Sequence, residues 1–110
     1  MKVSLIMPTI NVTDELILFL DSLSRQTFKD FELIAIDQNK HDEVFEILKR
    51  YEKLFDIKYV KSDEKGLSLN RNKGLILRNG EIVGFPDDDC EYDDDTLEKV
   101  VSFFERKKNY

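Results

Sequence analysis

The stretch EIVGFPDDD, residues 81–89, decides the fold of this chain, because an apolar run passes there directly into three carboxylates. Residues 81–85 have the short apolar character of a buried strand. Residues 93–97, which follow the acidic group, read as the start of a helix. The chain is therefore predicted to pass from strand to acidic turn to helix at this point, and the other elements can be placed around that unit.

The three carboxylates need either a counter-charge or open water, since adjacent negative charges at the end of a buried strand repel one another. Side chains repeat with period two along an extended chain, so Asp87 and Asp89 share one side and Asp88 points to the other. A divalent cation that carries a diphosphate would satisfy the first need, because hard metals accept carboxylate and phosphate oxygens together. A solvated acidic turn that caps the next helix is the structural alternative.

Strands and helices are predicted to alternate along the whole chain. The strands are apolar runs without alternation, which is typical of a parallel sheet covered by helices on both faces. The first strand is expected to stop at Pro8, and either Asn11 or Thr13 can cap the helix that follows it. The predicted strands are 2–7, 31–36, 57–60 and 81–85. The predicted helices are 14–24, 42–53, 66–78 and 94–105, and Asp42 can cap the second of them.

The carboxyl ends of parallel strands meet at one edge of the sheet, and ligands of such sheets bind outside that edge. The residues expected there are Thr9 and Asn11 after the first strand, Asp37 and Gln38 after the second, and the loop 62–65 after the third. The acidic turn completes the group. The sequence thus predicts a polar ligand site that is rich in carboxylates.

Composition narrows the functional classes. The chain has 110 residues, one cysteine and a formal net charge of −6, so it is one small domain without an internal disulfide and without the basic footprint of nucleic-acid binding. Neither a Gly-x-Gly-x-x-Gly fingerprint nor a P-loop is present. The first apolar run, 3–7, is too short to span a membrane. The expected location is the cytoplasm, with the inner face of the membrane included.

Five segments stand out in order, and they are VSLIMPTIN at 3–11, LDSLSRQTF at 20–28, FELIAID at 31–37, GLSLNRNKG at 66–74 and FPDDDCEY at 85–92. Together they resemble the inverting glycosyltransferases of family 2. The resemblance implies a GT-A fold of the nucleotide-diphospho-sugar transferase type, which is a Rossmann-like three-layer α/β sandwich with a mainly parallel sheet. It also implies that residues 1–110 are the donor-binding half, truncated before the acceptor-binding half and the catalytic base.

The resemblance implies contacts to the nucleoside of a sugar donor. Asp37 or Gln38 would meet the nucleotide base, and Pro8, Thr9 and Asn11 would lie near the nucleoside. Many members of the family carry a second Asp where this chain has Gln38, whose amide can still pair with a uracil or another base edge. From the residues alone, a helix cap at Asn11 and a strand-end turn at Asp37 are the structural alternatives.

The resemblance also implies the contacts to the diphosphate and the metal. Arg71 would approach the diphosphate, Asp88 would touch the ribose or sugar, and Asp87 with Asp89 would bind Mn²⁺ or Mg²⁺ in the manner of a DXD motif. An ion pair with a surface acid is the structural alternative for Arg71. No histidine partners Cys90 as a nucleophile would require, so a small buried residue is expected there, and His41 is expected at a helix start.

The expected reaction is transfer of a sugar from a nucleoside diphosphate sugar, with a UDP-sugar favoured, to a glycan or lipid-linked acceptor in surface polysaccharide synthesis. Without the catalytic base, the 110-residue chain is expected to be inactive by itself, and surface exposed by truncation could let it self-associate. A non-catalytic nucleotide-sugar or metal-binding module is the alternative. A flavodoxin-like regulatory domain is ranked last, because the acidic triplet follows the fourth strand.

Overall fold

The computed structural model describes residues 2–10, 13–87 and 90–107, which form a four-stranded sheet with helices on both faces. All observed pairings are parallel and the strand order is β3-β2-β1-β4. The predicted α/β fold with a parallel sheet is therefore confirmed. In chain order the elements are β1 Val3–Thr9, α1 Asp14–Ser24, β2 Phe31–Asp37, α2 Glu43–Lys49, β3 Asp56–Lys61, α3 Leu67–Leu77, β4 Ile82–Gly84 and α4 Thr96–Lys107.

The two faces of the sheet explain why the strands are apolar runs. Odd-numbered residues of β1 and β2, among them Leu5 and Leu33, pack in one core with α1, α2 and α4. Even-numbered residues, among them Ile6 and Ile34, pack in a smaller core with Leu75 of α3. Because β1 and β2 are buried on both sides, neither strand alternates between apolar and polar residues.

The prediction that Pro8 ends the first strand was wrong, since β1 continues through Pro8 to Thr9. Backbone groups of successive strand residues point to alternate neighbours. The carbonyl of Thr9 accepts from Gln38 on the β2 side, so the backbone nitrogen of Pro8 faces the β4 side. Pairing of β1 with β4 ends at Leu5, so no ladder bond is lost at the proline.

The helix α2 is shorter than the predicted 42–53, ending at Lys49 with tight turns after it. Those turns bury Tyr51 and Phe55 in the larger core, where the ring of Phe55 stacks on Phe31. The expected position of Asp42 before α2 is confirmed, although its side chain makes no cap bond and pairs with Lys61 at 3.7 Å instead. Thr13 likewise lies at the expected position directly before α1, and its side chain makes no cap bond either.

A buried polar network around Glu32 lies between the sheet and the end of α3, and Glu32 itself is 2% exposed. Its carboxylate accepts from the Ser4 hydroxyl at 2.6 Å and from the Asn79 N–H at 2.7 Å, and it lies 3.1 Å from the Lys58 ammonium. Lys58 also donates to the last carbonyl of α3, that of Leu77, at 2.7 Å. The network fixes the end of α3 against the sheet, and thereby the position of the side chains nearer its start.

Close packing of α3 requires a glycine at position 74. A Cβ atom built there would lie 2.3 Å from Cγ2 of Ile6 on β1, a distance that real side chains do not adopt. The absence of a side chain brings the backbone of α3 directly onto the centre of the sheet.

Several large apolar side chains are exposed on the surface, including Ile76 at 84% and Phe103 at 49%. Self-association through such surface stays a prediction.

Candidate functional site

The strand register brings the predicted site residues to one edge of the sheet. Thr9, Asp37 and Lys61 are aligned neighbours at the carboxyl ends of β1, β2 and β3. The acidic turn leaves β4 in the same direction, because all four strands are parallel. Two parts of this edge differ in character: the β2–β3 side, which consists of residues 37–41 with Tyr59 and Lys61, and the β4–α3 side, which consists of residues 85–87 with Arg71.

Asp37 is the centre of the β2–β3 side and is fully buried. Its Oδ1 accepts from both the backbone N–H and the Nδ2 of Asn39, each at 2.9 Å. Its Oδ2 accepts from the Tyr59 hydroxyl at 2.6 Å and lies 3.5 Å from the Lys61 ammonium. A carboxylate offers about four acceptor sites, so three hydrogen bonds and the nearby Lys61 charge satisfy most of the acceptor capacity of Asp37.

Ionisation at this centre follows from the same contacts. Burial works to raise the pKa of the Asp37 carboxyl, but hydrogen bonds from Tyr59 and Asn39 and the charge of Lys61 outweigh it and hold the pKa below its ordinary value. Burial and the hydrogen bond to Asp37 raise the pKa of the Tyr59 hydroxyl, which therefore stays a donor. Asp37 is therefore a carboxylate that accepts the proton of a neutral Tyr59 hydroxyl in a hydrogen bond.

Gln38 follows Asp37 and is half-buried. Its Oε1 accepts the backbone N–H of Gly66 at 3.2 Å, which fixes the amide orientation because an N–H can only donate. Within the described part of the chain, no protein group bonds to Nε2. Gln38 therefore presents hydrogen-bond donors. Gly66 precedes α3 with φ of 138°, a conformation that other residues rarely adopt.

The loop 62–66 is held in place from α3. The Nδ2 of Asn70 donates to the carbonyls of Glu64 at 3.0 Å and Gly66 at 2.7 Å, and Lys73 donates to the Ser62 hydroxyl at 2.9 Å. Lys73 also pairs with Glu64 at 3.4 Å. Two helical side chains thus fix the loop that carries the partner of Gln38.

Arg71 on α3 differs from the other cations of the edge. Lys61 and Lys73 have acid partners, whereas Arg71 has none among residues 2–10, 13–87 and 90–107. Its Nε is buried and has no partner in that same part of the chain. The predicted alternative of a surface ion pair therefore finds no support there. Its guanidinium carbon lies 5.0 Å from the centroid of the Phe85 ring.

The acidic turn is described only in part. Asp87 is exposed, while Asn11, Asp88 and Asp89 lie outside the described residues. The half-buried Cys90 donates its thiol to the Asp87 carbonyl at 3.0 Å and packs against the larger core. Within the described ranges, no group of three or more metal-ligating side chains is found. The carboxylate chemistry of the turn fits a hard divalent cation, and its role as a metal site stays a prediction.

Gln26 is a residue of this region that sequence reasoning missed. It is fully buried at the end of α1, where its Nε2 donates to the carbonyl of Asp93 at 2.6 Å and its Oε1 accepts from the N–H of Leu97 at 3.0 Å. It anchors the segment that follows the acidic turn. No periodicity marks such a residue, because the two partners that it anchors, Asp93 and Leu97, lie about seventy positions away. Tyr59 was missed too, although period two places it beside Lys61 on β3.

The remaining predictions are placed as follows. Pro8 is half-buried within β1, and Thr9 is buried and accepts the N–H of Gln38 on its carbonyl at 2.8 Å. His41 lies ahead of α2, where its Nδ1 accepts the N–H of Glu43 at 3.4 Å, so its predicted position is confirmed. No helix in the described ranges is both long and apolar enough to cross a membrane.

The parallel sheet, its three layers and the polar carboxyl edge define a Rossmann-like α/β domain, and comparison with known proteins specifies it further. The family described as Glycosyl transferase family 2 matches residues 4–110. The chain therefore belongs to glycosyltransferase family 2.

Similar proteins agree with this assignment. The chain is 36% identical over 106 residues to a poly(ribitol-phosphate) beta-N-acetylglucosaminyltransferase, TarP, of Staphylococcus aureus. The aligned region covers 93% of this chain and 32% of that protein. It is 35% identical over 111 residues to a GalNAc(5)-diNAcBac-PP-undecaprenol beta-1,3-glucosyltransferase of Campylobacter jejuni. That alignment covers 98% of this chain and 35% of the relative. The chain thus spans about a third of the length of these relatives.

A solved structure confirms the GT-A fold. The crystal structure of S. aureus TarS 1-349 in complex with UDP-GlcNAc matches with a TM-score of 0.88 and 28% identity, over 96% of this chain and 32% of that one. A second structure, TarS 1-349 in complex with UDP, matches with the same TM-score of 0.88 and the same identity of 28%. The predicted family and fold class are confirmed.

Proposed function

We propose that this chain is the donor-binding part of an inverting, metal-dependent glycosyltransferase. The enzyme would transfer a sugar from a nucleoside diphosphate sugar, with UDP as the favoured carrier, to a glycan or lipid-linked acceptor in surface polysaccharide synthesis. The observation that carries the proposal is the close match of nearly the whole chain to TarS structures in complex with UDP and UDP-GlcNAc. The names of relatives that act on ribitol phosphate and undecaprenol-linked glycans support the acceptor class.

In this proposal the β2–β3 side binds the nucleoside. Asp37 is buried and already accepts three hydrogen bonds from the protein, so its role is to hold the strand end and Tyr59 in place. Gln38 meets the base and offers it the donors of Nε2, while Thr9, Pro8 and Asn11 lie near the nucleoside. This division of labour sharpens the expectation that either Asp37 or Gln38 would contact the base.

The β4–α3 side binds the diphosphate and the sugar. Arg71 supplies a positive charge that no acid of the described residues neutralises. Asp87 and Asp89 would hold Mn²⁺ or Mg²⁺, and Asp88 would contact the ribose or sugar. When bound, the cation acts as a Lewis acid that stabilises the charge of the departing nucleoside diphosphate. The catalytic base is expected in the part of the relatives that this chain does not span.

Calorimetric titration of the chain with UDP and GDP, with and without Mn²⁺, tests the proposal. We expect one nucleotide to bind in a metal-dependent manner and Asp89→Ala to reduce that affinity at least tenfold, because a metal ligand is lost. Asp30→Ala is the matched control. Asp30 is an exposed acid that precedes β2, at the opposite edge of the sheet, so its removal should leave binding unchanged.

The outcomes are distinct. A chain that is folded by circular dichroism but binds neither nucleotide would contradict the proposal. Equal losses in Asp89→Ala and Asp30→Ala would reject the acidic turn as the metal site, since the effect would then follow net charge alone.

A further inference from the structure

We propose that Phe85 is a positioning residue for the diphosphate of the donor, acting through the guanidinium of Arg71. This inference rests on the proposed function, in which Arg71 contacts the diphosphate. It adds a residue that the sequence pattern identified only as the end of a strand. The juxtaposition that carries it joins two elements, because Phe85 follows β4 and Arg71 lies in α3.

The first step is that Arg71 needs something to hold it. Arginine side chains carry large rotamer entropy, and an ion pair usually restricts them. Arg71 has no acid partner in the described ranges, and its buried Nε makes no hydrogen bond there. Nothing polar that the structure describes therefore fixes the direction of the guanidinium.

The second step is that an aromatic ring does fix it. The guanidinium carbon lies 5.0 Å from the centroid of the Phe85 ring, within the range of a cation–π contact. A ring attracts the cation without neutralising its charge or occupying its N–H donors. An arginine held in this way keeps its full charge for an anionic ligand, which an arginine paired with a carboxylate cannot do.

The third step is the location of the pair. Phe85 is 41% exposed and stands two positions before Asp87, at the start of the predicted metal-binding turn. The ring thus connects the cation on α3 to the segment whose carboxylates would hold the metal. In a protein of net charge −6, a cation that pairs with no acid of the described residues is suited to a ligand that carries its own negative charge.

Titration of the chain with UDP and with uridine, both in the presence of Mn²⁺, tests this inference. We expect Phe85→Leu to weaken UDP binding about two- to fivefold, the size of one partly exposed cation–π contact, and to leave uridine binding unchanged. Phe85→Tyr keeps the ring and should bind UDP like the unmodified chain. In the Arg71→Gln background, Phe85→Leu should add no further loss, because the ring acts through the arginine.

The chain offers a matched control in Phe103 on α4, whose ring lies 5.5 Å from the Lys107 ammonium. Lys107 lines a surface cavity with Lys2 and Glu81, at the edge where β1 and β4 begin. Phe103→Leu removes the same kind of contact at the opposite edge, so UDP affinity should not change. The NMR signal of the Arg71 Nε–H, shifted upfield by the ring in the unmodified chain, should move in Phe85→Leu and stay in Phe103→Leu.

The contrary results are separable. If UDP fails to bind the unmodified chain, the proposed donor site is wrong and this inference falls with it. If UDP binds and Phe85→Leu weakens UDP and uridine equally, or weakens neither, the donor site stands and the role of Phe85 is overturned. An unchanged Arg71 signal in Phe85→Leu would overturn it as well.

Discussion

The β2–β3 side and the β4–α3 side of the carboxyl edge treat their charges in opposite ways. On the β2–β3 side, the buried carboxylate of Asp37 accepts hydrogen bonds from Tyr59 and Asn39 and pairs with Lys61. On the β4–α3 side, Arg71 has no acid partner in the described ranges, and Asp87 is exposed. The first side pairs its charge within the protein, whereas the charges of the second side have no ion-pair partner among the described residues and are proposed to meet a ligand.

The difference teaches which acids stabilise the fold and which are available for chemistry. A buried ion that is paired and hydrogen-bonded contributes to the stability of the folded state. Removing one partner is destabilising, because the remaining groups stay buried without a partner and without water. An exposed charge contributes little to stability, so it can be devoted to a ligand at small cost. Proximity to the edge does not separate the two classes, since Asp37 and Asp87 both follow a strand.

The largest expected effect on stability comes from replacing Asp37 and Asp87 separately by alanine. Asp37→Ala should lower the free energy of unfolding by about 3 kcal/mol, because the buried donors and the Lys61 charge lose their partner. Asp87→Ala should change it by less than about 0.5 kcal/mol and weaken Mn²⁺-dependent UDP binding instead. Urea denaturation and calorimetry on the same samples measure both quantities. Equal stability losses in the two variants would remove the distinction between the two sides.

Acid should weaken the stabilisation that the buried carboxylates Asp37 and Glu32 provide. The pKa of Asp37 is held below its ordinary value, and so is that of Glu32, where burial is outweighed by bonds from Ser4, Asn79 and Lys58. The unfolded chain therefore binds these protons first, so the stabilisation is complete above about pH 4 and is lost as the pH falls below it. Urea midpoints measured from pH 6 to pH 3 should decline at the acid end.

A variant attributes part of that decline to the site. Asp37→Asn removes the titrating group, so its urea midpoint should fall less steeply below about pH 4 than that of the unmodified chain, while the contribution of Glu32 remains. An identical slope in both proteins would mean that the acid dependence arises elsewhere, and the fixed character of the β2–β3 side would lose its support.

The smallest expected effect separates the two ends of the Gln38 amide. Gln38→Met deprives the Gly66 N–H of its acceptor and should cost about 0.5–1 kcal/mol of stability, the net value of one hydrogen bond. Gln38→Glu keeps an acceptor for Gly66 but loses the Nε2 donors, so stability should hold while UDP binding weakens severalfold. Denaturation and calorimetry of the pair decide this. Undiminished UDP binding by Gln38→Glu would argue against a donor contact to the base.

Much of the fold could be predicted because its determinants are local. The helix α1 was predicted with its observed bounds, since its apolar stripe and its polar flanks lie within eleven residues. The parallel order followed from apolar strands that alternate with helices. The extent of β1 could not be predicted in the same way, because a proline is tolerated there only where the neighbouring strand β4 has already ended.

The candidate site divides along the same line. The sequence by itself determined which polar residues follow each strand, and therefore which side chains reach the carboxyl edge. Only the tertiary structure decided their state: that Tyr59 and Lys61 pair with Asp37, that Gly66 orients Gln38, and that Arg71 meets the ring of Phe85 and no acid among the described residues. The physical reason is that strand ends are set by local patterns, whereas hydrogen bonding and charge compensation depend on partners far apart in the chain.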